Sequence, residues 1–227
     1  MLEIIYQDEH IVVINKPTGL LVHPTRIAAD ATETAMQLLR DQIGAWVFPI
    51  HRLDRKTSGI LIFALNKEIQ TQLSKAFKDG LVNKKYIAIV RGYTDDKGII
   101  DYAIKNLDNK IQAALTVYKT ISKSEIPIAH GKHQTSRYSL IELIPRTGRY
   151  HQLRKHMAHI FHPIIGDRPH GCNKQNRFLK SEFGLHEMML HAQEISFEHP
   201  ISKNNISIEA PFHAEFIRMK KALHLSD

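Results

Sequence analysis

One cysteine, Cys172, occurs among 227 residues. No internal disulfide can form, which excludes a small disulfide-stapled scaffold and fits a reducing compartment. Long apolar runs are missing as well. The longest, Ile60–Leu65, falls far short of the roughly 20 residues that cross a bilayer. The opening MLEIIYQDEH has no basic start and turns acidic within eight residues, so it does not read as a signal peptide. These absences predict a cytoplasmic protein with no membrane partner. Three motifs are absent too: the phosphate-cradling G-x-x-x-x-G-K-[ST], the dinucleotide G-x-G-x-x-G and the nucleophile elbow G-x-S-x-G. No cofactor is expected, and no obligatory protein partner is evident.

What is present is positive charge. Lys and Arg number 31 against 23 Asp and Glu, a net +8, with 15 His in reserve. That balance favours a polyanion, nucleic acid first and an acidic membrane second. A chain of this length fits one large domain with a sizeable core.

The patterning mixes strands and helices without a βαβ rhythm. LEIIYQDEHIVVINKP predicts a hairpin around Asp8-Glu9-His10, with KPTG ending it. TETAMQLLRDQIG predicts a helix stopped at Gly44, and NKEIQTQLSKAFKDG a second with Ile69, Leu73 and Phe77 in one stripe. GILIFAL reads as a central strand, apolar on both faces. KKYIAIVRG and RYSLIELIP read as strands, and so do MLHAQEISFEHP and NNISIEAP. RTGRYHQLRKHMAHIFHP turns into a helix with Leu153, Met157 and Ile160 inward, and the last helix buries Phe216, Met219 and Leu223. Residues 100–134 give only strand-like pieces such as ALTVYKTI. The sum is an α+β fold with a mixed, largely antiparallel sheet in two lobes, the crossover falling at 95–135.

Two constellations carry chemistry. HRLDRKTSGI places Asp54 among His51, Arg52, Arg55 and Lys56. Such an aspartate either caps its own loop or stays ionised among cations beside a phosphate backbone, as a nucleophile or electrostatic stabiliser. RTGRYHQLRKHMAHIFH interleaves Arg146, Arg149, Arg154 and Lys155 with four His. His156, His159 and His162 lack metal-ligand spacing, so no metal is expected. A basic helix face toward phosphate and a merely solvated face remain open. Tyr86 reads either as a core tyrosine or as a ring that stacks on a base.

Taken in order, these segments resemble the pseudouridine synthases, in the branch typified by ribosomal large-subunit synthase A. NKPTGLLVHP (15–24), HRLDRKTSGILIFA (51–64) and KKYIAIVRG (84–92) are similar to that branch's first three motifs. RTGRYHQLRKHMAHIFHPIIGD (146–167) and LHA (190–192) complete the set. The resemblance implies the pseudouridine synthase fold with a central catalytic cleft. It also implies that 1–227 is one catalytic domain with no extra N-terminal RNA-binding domain. The implied reaction is isomerisation of uridine in RNA without cofactor or metal. It assigns Asp54 as the essential aspartate, Tyr86 as the tyrosine stacked on the target uracil, and Arg154 as the aspartate's partner. Leu190 would pack beneath the base, and Arg52 would fill the gap left by the flipped nucleotide. Arg55 and Arg149 are further substrate-binding candidates, Arg55 toward phosphate.

RDQIG, HPIIGD and NRF…FGL…MMLHA look most like the tRNA-acting members of that branch, so RNA, and tRNA first, is the expected partner. Two positions depart from the branch pattern. His170 stands where a tyrosine is usual, and Phe161 where the run GHPI has glycine. The alternatives are a ribosomal RNA target, a non-catalytic RNA-binding protein of the same fold, and a hydrolase using the His-rich helix.

Overall fold

A computed structural model of the chain describes residues 1–23, 33–129 and 134–226. The first strands, β1 (Glu3–Gln7) and β2 (Ile11–Lys16), form the expected antiparallel hairpin. Its turn is set by Asp8, whose Oδ1 accepts the N–H groups of His10 at 2.7 Å and Ile11 at 2.8 Å. Helix α1 (Ala35–Ile43) starts in a capping box between Thr34 and Gln37 and stops at Gly44, with φ 67°. The short β3 (Phe48–Pro49) lies antiparallel to β4 (Ser58–Ala64). All seven residues of β4 are buried, which is why its sequence runs apolar instead of alternating. Helix α2 (Lys67–Lys78) is capped by Asn66 and buries Ile69 and Leu73.

Next come β5 (Asn83–Arg91), β6 (Lys97–Asp101), the small hairpin β7 (Ile104–Lys105) with β8 (Ile111–Gln112), and the long β9 (Leu115–Ile126). Strand β10 (Ser136–Pro145) leads to helices α3 (Gln152–His159) and α4 (Asn173–Phe183). Strands β11 (Leu190–Glu198) and β12 (Asn205–Glu209) pair antiparallel, and α5 (Ala214–Ala222) follows.

The chain divides into two compact units. The first is Met1–Lys84 with Ala192–Pro211, and the second is Lys85–His191 with Phe212–Asp227. In the first, β4 is flanked by β2 and β11, with β1 beyond β2 and β12 beyond β11. Gly59, at φ 102°, starts this close approach: a Cβ there would run into the Ala192 backbone.

In the second unit the strand order is β5, β10, β9, β6, antiparallel throughout. Successive side chains point to opposite faces, and both faces are buried. Ile87, Ile89, Tyr138 and Leu140 enter one core with Leu179, Phe216, Met219 and Leu223. Ala88, Val90, Ile141 and Leu143 enter another with Leu153, Met157, Ile164 and Leu190.

Two expectations need correction. The unit boundary falls at Lys84–Lys85 and not within 95–135, because β6 and β9 pair with their neighbours inside the second unit. Helix α4, not foreseen, buries Gln175 and Leu179, and its Gln175 Nε2 donates to the Tyr138 hydroxyl at 2.6 Å. Pro24, which ends the first motif, lies outside the described residues, as do residues 130–133 of the segment that resisted reading.

Candidate active site

The Asp54 loop, residues 51–57, leaves β3 and enters β4 inside the first unit. Asp54 is half-buried and Arg52 exposed, with Leu53 buried between them. The loop closes on itself where the Thr57 N–H donates to the Asp54 carbonyl at 3.0 Å. Its downstream half is tied to residues 16–20. The Gly19 N–H donates to the Arg55 carbonyl at 2.8 Å, and Arg55 Nε donates back to the Gly19 carbonyl at 2.8 Å. Thr18 Oγ1 donates to the Lys56 carbonyl at 3.0 Å.

Lys16 sits beneath this tie, fully buried. Its Nζ donates to the carbonyls of Pro17 (2.8 Å), Leu20 (2.9 Å) and Arg55 (3.2 Å). Burial pushes its pKa down to about 7, while the charge of Asp54 pulls the other way. The sequence had placed four basic groups around Asp54. The buried Lys16, unassigned there, is a further basic group within reach of the aspartate's charge. Arg55, expected at a phosphate, has Nε committed to holding the loop.

The other proposed residues belong to the second unit. Tyr86, on β5 opposite Leu143, is half-buried and packs against the same core that contains Leu190. Arg154, on α3, is buried. Its Nε donates to Asp167 Oδ2 at 2.7 Å and its Nη2 to Asp167 Oδ1 at 2.8 Å. Asp167 is 1% exposed and is itself braced. Its Oδ1 accepts the His170 N–H at 3.3 Å, and its backbone carbonyl accepts from Asn176 Nδ2 at 2.7 Å. Asn176 Oδ1 also takes the Gly166 N–H at 2.9 Å, so α4 clamps the turn that carries Asp167.

Helix α3 turns part of its basic set inward, while His159 stays exposed and Lys155 half-buried. Arg154 and His156 point inward. His156 bridges Thr116 Oγ1 at 2.9 Å and the Tyr102 carbonyl at 3.0 Å; the carbonyl requires a proton on Nε2, leaving Nδ1 to accept. Burial lowers its pKa and keeps it neutral. His159 stacks on Tyr102 with centroids 3.6 Å apart. The His-rich stretch is thus occupied with packing and hydrogen bonds, and among the described residues no three metal-ligating side chains converge. Arg149, exposed, donates through Nε to the Ala113 carbonyl at 3.1 Å.

Asp167, which holds Arg154, and the buried Lys16 were not singled out in the sequence; Asp167 closes the run HPIIGD, but its burial against an arginine shows only in the fold.

Comparison with known proteins follows the same residues. The family model described as RNA pseudouridylate synthase matches residues 10–159. The tRNA pseudouridine synthase C of Vibrio parahaemolyticus is 46% identical over 220 residues, covering 92% of this chain and 89% of the relative. That of Haemophilus influenzae is 48% identical over 221 residues, covering 92% of each. The solved structure of human RNA pseudouridylate synthase domain containing 4 superposes with a TM-score of 0.76 at 25% identity, over 99% of this chain and 94% of that one.

Proposed function

Since the chain belongs to the RNA pseudouridylate synthase family of RNA isomerases, we propose that its substrate is transfer RNA and its target uridine 65. The observation that carries this reading is the match along nine-tenths of the chain to relatives named tRNA pseudouridine synthase C. The net charge of +8 suits the polyanion.

In the isomerisation the N1–C1′ bond breaks, the uracil turns, and C5 joins C1′. The proton lost from C5 is balanced by one gained at N1, so no atoms are exchanged and no cofactor chemistry is called for. A stacked uridine hides these atoms, so the nucleotide must be flipped out at a cost of a few kcal/mol. Stacking of the base on Tyr86, above Leu190, would return roughly 1–3 kcal/mol. Asp54 is the proposed carboxylate, acting by attack on C1′, by attack on C6 or by assisting a glycal route. Arg154, held rigid by Asp167, is its proposed partner. Arg52 is exposed, as a residue that enters the gap in an RNA helix must be. Arg55 and Arg149 are proposed phosphate contacts, and the Nε of each also anchors a loop. We place this activity in the cytoplasm; among the described residues no helix is long and apolar enough to cross a membrane.

The test is pseudouridine formation on tRNA transcripts by the purified protein, with pseudouridine mapped chemically in RNA from cells with and without it. Modification confined to tRNA position 65 is expected. Modification of ribosomal RNA alone would overturn the tRNA assignment.

A further inference from the structure

The edge of β4 holds an irregularity that the roles above do not use. Strand β3 runs antiparallel to it, with Phe48 opposite Ala64 and Pro49 opposite Phe63. One residue further, Ile50 donates its N–H to the Ile62 carbonyl at 3.1 Å. An antiparallel ladder would now return the second bond of the pair, from the Ile62 N–H to the Ile50 carbonyl. That return bond is replaced. The Ile62 N–H donates instead to His51 Nε2 at 3.2 Å, and the Ile50 carbonyl turns to the Ser74 hydroxyl of α2 at 3.4 Å. An imidazole nitrogen has taken the place of a backbone oxygen.

The substitution matters because of where it occurs. Backbone N–H groups inside a buried strand must be satisfied, and Ile62 is fully buried. A ladder satisfied by backbone would hold the chain alongside β4. With His51 closing it, the main chain is released one residue early and turns out into Arg52, Leu53 and Asp54. The ring is fixed in turn by stacking on Phe77, with centroids 4.7 Å apart and planes at 15°.

We infer that His51 is a positioning residue for Asp54, acting as a neutral hydrogen-bond acceptor that ends the β3–β4 ladder and sets where the loop departs. The role demands one tautomer. Nε2 accepts, so the proton is on Nδ1. It also demands that the ring stay uncharged, since a protonated Nε2 would donate and repel the Ile62 N–H. His51 is half-buried, and burial is still the larger cause that pushes its pKa down to about 3, ahead of the Lys84 charge. Together with the Lys16 tie on the downstream side, the upstream His51 contact gives the Asp54 loop two fixed ends.

The inference rests on the reading of Asp54 as the catalytic carboxylate, and the experiment separates the two. His51→Phe keeps a ring against Phe77 and removes the acceptor. His51→Gln restores an acceptor oxygen near the place of Nε2. The expected result is a fall in kcat on the order of 10²-fold for His51→Phe, since a shift of about 1 Å in a reacting group costs that much. Affinity for tRNA should stay within about threefold, and His51→Gln should recover most of the lost kcat. Wild-type kcat in His51→Phe, or no rescue by glutamine, would overturn the inference while leaving Asp54 untouched. An active Asp54→Asn would sink the underlying reading instead. Nitrogen-15 spectra of the wild-type protein provide a readout that survives any folding defect in the variants. Nδ1–H at His51 is required, and an Nε2–H tautomer would refute the role outright.

Discussion

The guanidinium of Arg154 and the carboxylate of Asp167 meet in a two-over-two contact, 2.7 and 2.8 Å, with both side chains almost wholly out of water. Geometry of this kind is what allows two charges to be buried at all. It makes Asp167 the support of a residue proposed to act at the substrate. Asp167→Asn keeps the shape and removes the charge that Arg154 Nε and Nη2 face. We expect a loss of about 3–5 kcal/mol in unfolding free energy, measured by urea denaturation, and a matching loss of pseudouridine formation. Unchanged stability would show that the pair does not bear on the fold.

Asp54→Asn removes a carboxylate from a half-buried loop that is fastened through main-chain atoms of residues 54–56 and the Arg55 side chain. The loop should survive. Pseudouridine formation is expected to vanish, with tRNA affinity kept within about tenfold, or ~1.4 kcal/mol. Single-turnover assays beside a filter-binding titration check both halves.

Arg52 is exposed, so its replacement should act on RNA and little on the fold. For Arg52→Ala, the slope of log affinity against log salt should fall by about one if it contacts phosphate. The same slope as wild type would remove Arg52 from the phosphate contacts. Arg55→Ala is a less clean experiment, because it also cuts the bond to Gly19.

Phe161 occupies the left-handed turn that ends α3. Its N–H reaches the Ala158 carbonyl at 3.1 Å and the His162 N–H reaches that of Met157 at 2.9 Å, a Schellman arrangement. The residue holds φ 65° while its side chain is among the most exposed apolar groups, at 86%. Among the described residues nothing offsets the backbone cost by burying the ring. Phe161→Gly should therefore stabilise the protein by about 1 kcal/mol, seen as a higher denaturation midpoint.

Much of this was legible in the sequence, for identifiable reasons. The hairpin, β4, β5, β10 and the α1, α2 and α5 helices carried clean periodicities and local caps such as Thr34 and Asn66. Strand β9 was not legible as one element. Its twelve residues are rich in Lys, Ser and Thr, and most of its stability comes from pairing with β10 twenty residues later. Helix α4 begins at Cys172 with no side-chain cap, so its start gave no signal. Among the proposed site residues, Asp54, Tyr86, Leu190 and Arg154 stood out through their motifs. Asp167 and Lys16 did not, because what distinguishes them is burial, which only the folded chain reveals. The His-rich run misled in the opposite sense: residues that look like a surface in sequence, Arg154 and His156, are interior.

The tie between residues 16–20 and the Asp54 loop lands mostly on main-chain atoms: the oxygens of Pro17, Leu20, Gly19, Arg55 and Lys56, and the Gly19 nitrogen. Such atoms are the same whatever side chain is attached. The residues that accept are therefore free to vary, while the side-chain donors Lys16, Thr18 and Arg55 fix where Asp54 stands. Arg52, exposed and outside those bonds, can be exchanged to suit a different RNA without cutting them, so that one scaffold tolerates drift in substrate while the aspartate stays put.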